Sequence, residues 1–227
     1  MTIHDPHRIT GPGRARRFAW MAALPAVFAV AAGLPPDLAE RRDNPPTTIE
    51  RGAEVPPALV APFVTTPLPV VDAMLALAGV GPADFVVDLG SGDGRLVLEA
   101  VVKFGARGGF GVDIDPALVD YASRKAQEAG ATDRVRFHVR DLFDTDVREA
   151  TVVTVYLLPI AMDRLEAKLL RELAPGTRVV SHDYPFRGWP VERVVALDVP
   201  EKNDYTGRRS TSVYLYRVPV RTAGGAR

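Results

Sequence analysis

The chain has 227 residues, 47% of them hydrophobic, enough to bury one substantial core. Lys+Arg and Asp+Glu both number 28, so there is no net charge and none of the basic excess that a nucleic-acid partner calls for. With no cysteine there is no disulfide framework and no thiolate metal site, and none of the four histidines is assigned to a metal.

Residues 1–17 form a polar tail ending in Arg14-Ala15-Arg16-Arg17. Residues 18–34, FAWMAALPAVFAVAAGL, then run 17 positions without a charge. A basic flank before such a run, and Pro35-Pro36 after it, predict a signal peptide or a membrane anchor rather than a core helix. Ala29-Val30-Ala31 offers a cleavage pattern, and the run is at the short end of the spanning range, so both readings stand. Residues 35–61, rich in Pro, Arg and Glu, read as a linker. A catalytic domain is expected over 62–218, with a flexible tail at 219–227.

Within that domain Thr66-Pro67 reads as a helix start, Thr as N-cap and Pro at the first position, followed by a helix to Gly79. Capping alone and ligand contact are both open for Thr66. Phe85 to Leu89 is an apolar run that fits a buried parallel strand. It leads into Gly90-Ser91-Gly92-Asp93-Gly94-Arg95, after which the helical pattern Leu96 to Val102 begins. Strand, glycine turn and helix make a ligand cradle, because glycines let the backbone approach closely and the helix offers free N–H groups.

The dinucleotide fingerprint is G-x-G-x-x-G, whereas this loop is G-x-G-x-G with Arg95 in the sixth position. Asp88 and Asp93 flank it, and carboxylates there would repel a pyrophosphate. S-adenosyl-L-methionine (SAM) carries an ammonium and a sulfonium and suits two acids at the turn. The run D-L-G-S-G-D-G-R resembles the first motif of class I SAM-dependent methyltransferases.

A second strand, Gly109 to Val112, ends in Asp113-Ile114, 25 residues after Asp88, near the offset at which an acid takes ribose hydroxyls. A third, Val135 to Val139, ends in Asp141-Leu142. In the class I pattern that acid faces the adenine amino group and its apolar neighbour stacks on the ring.

Ala150 to Tyr156 is a fourth strand, closing in Leu157-Leu158-Pro159, and Arg178 to His182 a fifth. Between them lies an amphipathic helix, Met162 to Leu173, with Arg164, Glu166, Lys168 and Glu172 on its solvent face. Val191 to Val199 and Ser212 to Val218 lack a helical crossover and predict an antiparallel hairpin. The fold expected is α/β: a doubly wound, mostly parallel seven-stranded sheet, Rossmann-like, with that hairpin at its edge. Ligands in such sheets sit beyond the carboxyl ends of the strands, so Tyr156, His182 and Asp183 are the acceptor-side candidates. Tyr156 could act as a hydroxyl or aromatic wall and His182 as a base; core packing or structural hydrogen bonding is the plainer role for each.

Taken together, F-V-T-T-P, V-V-D-A-M-L-A-L-A, the glycine loop, L-E-A-K-L and S-H-D-Y-P-F-R-G-W-P resemble a narrower family over about Pro62 to Val218. It is the small membrane-associated protein-lysine methyltransferases that act on the ATP synthase c-subunit and adenine nucleotide translocase, with their bacterial relatives. The resemblance implies SAM as cofactor, a protein lysine as acceptor and an apolar N-terminal segment. Three positions depart from it: Asp113 where the family usually has Glu, Thr65 where it often has Pro, and Y-L-L-P after the fourth strand. The expected partners are a protein substrate, which could be a membrane protein, and a membrane through 18–34; no nucleic acid is expected, and the chain is expected to act as a monomer. Other functions weighed are a small-molecule methyltransferase, an NAD-dependent oxidoreductase, which Arg95 and Asp93 oppose, and a non-catalytic envelope module. The arginine-rich flank would stay cytoplasmic and send the domain across the membrane, away from SAM made in the cytosol, so membrane-associated and exported placements both stand.

Overall fold

The computed structural model describes residues 64–202 and 209–220. The basic tail, residues 18–34, the linker and the end of the chain from 221 lie outside them. Among the described residues no helix is long and apolar enough to cross a membrane.

The predicted seven-stranded sheet is present. Its strands are β1 (Phe85–Leu89), β2 (Gly108–Asp113), β3 (Val135–Val139), β4 (Val152–Val155), β5 (Arg178–His182), β6 (Arg193–Asp198) and β7 (Ser210–Arg217), in the order β3-β2-β1-β4-β5-β7-β6. The first five pair in parallel; β7 inserts between β5 and β6 and runs antiparallel to both. The hairpin therefore reverses: the later strand takes the inner place, and β6 is the edge. Their burial explains the order. Val213, Leu215 and Tyr216 of β7 are almost fully buried, while Val194 and Val195 of β6 remain exposed.

On one face lie α1 (Leu68–Ala78), α2 (Arg95–Val102) and α3 (Pro116–Glu128), packed through residues such as Met74, Val97 and Ala122. The other face carries α4 (Pro159–Glu172). No helix connects β5 to β6, so Phe186 and Trp189 fill that side against Tyr216, whose hydroxyl accepts the Phe186 N–H at 3.0 Å. Burial pushes the Tyr216 phenol up to about 12.

Two local expectations are corrected. Pro67, not Thr66, takes the N-cap position of α1, and its carbonyl accepts the N–H groups of Val70 and Val71. Pro69 has no N–H to satisfy, so the first turn has less need of a side-chain cap, and Thr66 turns elsewhere. Lys168 is not on the solvent face. Its stem is buried, and its ammonium pairs with Glu172 at 2.6 Å, as long amphipathic side chains can do when the head finds a partner.

Candidate active site

At the carboxyl end of β1 the glycine loop crosses the strand ends. Its backbone is left-handed at Gly90, Gly92 and Gly94, with φ of 84°, 51° and 80°. Gly94 also sits hard against α3 and β3: a Cβ there would lie 2.4 Å from Phe137 Cζ and 2.8 Å from Ala122 Cβ. The loop rests on β2 through Ser91, since a Cβ on Gly111 would come within 2.5 Å of the Ser91 Cβ. Ser91 Oγ is buried and is the one such side-chain atom without a hydrogen-bond partner among the described residues.

The four acids of the sequence reading meet different fates. Asp113 braces the loop: Oδ2 accepts the Gly92 N–H at 2.9 Å and Oδ1 the Asp115 N–H at 3.0 Å. Burial raises its pKa, against those backbone hydrogen bonds. Asp88 lies in the sheet beneath the loop, opposite Thr154 in register, and accepts the Thr154 hydroxyl at 2.6 Å. Burial, with the Asp113 and Asp93 charges added, outweighs that bond and lifts its pKa to about 7. Asp93 is clamped by its neighbour, for Arg95 Nε reaches both carboxylate oxygens at 2.9 Å and Nη2 reaches Oδ2 as well. Asp141 closes the turn after β3, where Oδ1 accepts the Phe143 N–H at 2.8 Å.

This amends the expected electrostatics. Asp93 is not a free negative charge at the turn, because Arg95 offsets it, and Asp88 is half-protonated near neutrality. Asp113 is left as the acid that combines a place at the strand ends with remaining lone pairs, since a carboxylate offers about four acceptor sites and two are taken here. Ile114 is exposed beside it, while Leu142 is buried among the apolar residues of the α4 face. Arg95 serves the scaffold, its Nη1 donating to the Thr66 carbonyl at 2.8 Å. The residues present fit an adenosyl cofactor: a loop open for close backbone approach, an acid at the end of β2, and a buried hydroxyl with no partner of its own.

The raised Asp88 pKa has a measurable consequence. Below pH 4 the carboxyl is protonated folded or unfolded; as pH rises to about 7, only the unfolded chain gives up its proton readily, so stability falls. Asp88→Asn, which can still accept from Thr154, removes that loss. Its stability without cofactor, followed by thermal melting, should gain on wild type progressively between about pH 4 and pH 7, by up to about 4 kcal/mol at 1.36 kcal/mol per unit. A gap that stays constant across that range would mean Asp88 is ionised throughout.

The acceptor-side candidates are brought together. The Tyr156 and His182 rings lie 3.9 Å apart between centroids, and the Tyr156 hydroxyl is 3.4 Å from Asp183 Oδ2. His182 is fully buried, with Nδ1 3.4 Å from Thr66 Oγ1 and Nε2 2.7 Å from Thr211 Oγ1. Burial drives its pKa down to about 4, the Lys202 ammonium reinforcing and the Asp183 carboxylate opposing. With both nitrogens engaged, His182 is neutral and poorly placed to act as a base on substrate. Thr66 thus joins the two halves of the site, its carbonyl on Arg95 and its hydroxyl on His182. The sequence reading missed Thr154, Thr211 and Lys202. Thr154 alone had a signal, as the one polar residue in the run Val152-Val153-Thr154-Val155.

Residues 88–193 match the model of the ANTKMT methyltransferase domain. The chain is 39% identical over 155 residues to a protein-lysine N-methyltransferase of Saccharolobus islandicus, a match covering 68% of this chain and 92% of that one. It is also 39% identical to the adenine nucleotide translocase lysine N-methyltransferase of Mus musculus, over 64% of this chain and 66% of that protein. A crystal structure described as an RNA methyltransferase from Salinibacter ruber, in complex with S-adenosyl-L-homocysteine, aligns with a TM-score of 0.63 and 45% identity, over 71% of this chain and 98% of that one. A parallel sheet with one antiparallel insertion, a glycine loop over β1 and this breadth of similarity lead to one conclusion: the chain belongs to the ANTKMT methyltransferase family, a group of class I SAM-dependent methyltransferases that includes protein-lysine N-methyltransferases.

Proposed function

We propose that the enzyme is a protein-lysine N-methyltransferase that works beside a membrane. The observation that carries the acceptor is the 39% identity with a protein-lysine N-methyltransferase spanning 92% of that relative. The uncharged run at 18–34 motivates the membrane part and lies outside the described residues.

When bound, SAM supplies a methyl group on a sulfonium, a leaving group that needs no acid to depart. The chain then has to position and desolvate more than to exchange protons. Asp113, which holds Gly92, would take the ribose hydroxyls, and the N–H groups of the loop would offer further hydrogen bonds. Asp141 would border the adenine, whereas the Leu142 side chain is buried in the core. Tyr156 forms the acceptor wall, and His182 is a positioning residue that fixes the Tyr156 ring by stacking on it. Once a lysine amine has lost its proton to solvent it brings its own lone pair, so a neutral, buried His182 is no handicap for this acceptor.

The Salinibacter ruber structure's description as an RNA methyltransferase raises a second reading, an RNA acceptor. The equal count of acidic and basic residues opposes it. Incubation with methyl-labelled SAM, a membrane extract and total RNA separates the two. Label is expected in methyl-lysine recovered from protein hydrolysates; label in RNA alone, or in no lysine, would overturn the proposal.

A further inference from the structure

Just past β5 an ion pair between half-buried Asp183 and buried Lys202 stands within the proposed acceptor wall. Asp183 is the one residue other than glycine with positive φ among the described residues, at 62°, a strained conformation that tends to gather at functional sites. Its carboxylate is over-determined. Lys202 Nζ donates to Oδ2, Thr211 Oγ1 donates to Oδ1 at 2.7 Å, the Ser212 N–H reaches Oδ1 at 3.3 Å, and the Tyr156 hydroxyl lies 3.4 Å from Oδ2. Burial pushes this carboxyl up, but the Lys202 and Thr211 hydrogen bonds outweigh it and leave it below the ordinary value, so Asp183 is ionised. Lys202 is 2% exposed and also donates to Thr211 Oγ1 at 2.8 Å.

Among the described residues, the titratable groups around the carboxylate are His182 from β5, Tyr156 after β4 and Lys202 from the turn Pro200–Lys202; β7 contributes the hydroxyl of Thr211 and the backbone of Ser212. His182 is neutral, and its bonds fix the direction of the chain of donors. Thr211 gives its proton to Asp183, so it accepts from His182 Nε2–H, and Nδ1 accepts from Thr66. One full negative charge thus faces the acceptor side, and a lysine of the enzyme itself lies on it.

We propose that Lys202 is the counter-charge that keeps this wall neutral, so that Asp183 does not hold the incoming lysine in its protonated, unreactive form. The inference rests on the amine-acceptor reading above. Only the neutral amine has a lone pair for methyl transfer, and a free lysine side chain titrates near 10.4. A bare carboxylate about 4–6 Å away would favour the ammonium further, by about one to three pH units. With Lys202 in place the amine meets a dipole instead. Lys202 is in this sense a positioning residue for charge, and it does not touch the reacting atoms.

The test is the rising limb of the pH–rate profile for single-turnover methyl transfer. Denatured extract protein in excess is the acceptor, and methyl-lysine after hydrolysis is the readout, between about pH 6.5 and pH 10. Lys202→Met should move the limb to higher pH by about one unit or more, roughly tenfold slower at neutral pH and converging with wild type at the alkaline end. Asp183→Asn should move it the opposite way, and the double variant should return it to the wild-type position. Lys202→Arg keeps the charge and should keep the limb. A merely structural pair would lower the rate at every pH and leave the limb in place, which overturns the proposal. So would shifts of the same sign in the two single variants. If Lys202→Met does not fold, Asp183→Asn and the double variant decide by the same criteria. A wild type that labels no lysine defeats the amine reading and this inference together, whereas a lysine-labelling wild type with unmoved variants defeats this inference alone.

Discussion

Asp113→Ala is expected to lower SAM affinity by about 100- to 1,000-fold while leaving the protein folded. Hydrogen bonds to an ionised group are worth about 1.5–3 kcal/mol each, and two ribose hydroxyls at one carboxylate account for a loss of this size. The variant also frees the Gly92 N–H, so the loop loses one tether to β2 and keeps those of the Gly90 and Ser91 N–H groups to the Val112 carbonyl. Stability should change little, because burial already works against the ionised Asp113 and its removal relieves that cost. Asp113→Asn should not rescue binding: two N–H groups point at the carboxylate, and the amide nitrogen would present a donor to one of them. Asp113→Glu keeps the charge and should retain more affinity than either. Isothermal titration calorimetry checks the series, and an unchanged affinity in Asp113→Ala would refute the role given to this acid.

The second large effect is Gly94→Ala. The left-handed backbone costs a side chain about 1–2 kcal/mol, and the new methyl overlaps Phe137 and Ala122, which adds about 1–3 kcal/mol of overpacking. At 2–4 °C per kcal/mol for a chain of this size, the melting temperature should fall by about 10 °C. Gly130→Ala is the matched control. Its φ is +63° but nothing lies within 4 Å of the added Cβ, so it carries strain without overlap and should cost only a few degrees. Equal melting temperatures for the two variants would mean that the contact between Gly94 and Phe137 is absent in solution.

Much of this fold could be read from the chain because its signals are local. Phe85 to Leu89 is apolar at four of five positions, as a strand buried on both faces must be, and the glycines that follow announce a backbone turn. Pro116 behind Asp115 opens α3, with Asp115 Oδ1 accepting the Ala117 N–H at 2.8 Å, a cap signal that lies in the sequence and was not read there. The same grammar failed at Thr66-Pro67, where a cap motif was overridden by tertiary contacts to residues 29 and 116 positions away. The acceptor wall was legible only in part. Tyr156, His182 and Asp183 end adjacent strands and could be placed by the rule of strand ends. Lys202 comes from the turn after β6 and Thr211 from β7, and no periodicity says that their heads converge on Asp183. Asp93 and Arg95 are a different lesson: their pairing is two residues apart in sequence, close enough to cancel the charge that seemed to favour a cationic ligand.

The place of β7 has a consequence for how the enzyme comes into being. The glycine loop and the acids around it belong to residues 85–141, which leave the ribosome before the hairpin and can associate while synthesis continues. The acceptor wall cannot, for the hydroxyl that anchors His182 and Asp183 arrives with Thr211, and β6 has nothing to pair with until β7 slides in beside β5. A nascent chain would thus hold its glycine loop some seventy residues before it could order the proposed acceptor wall, and on that proposal catalytic competence waits on β7.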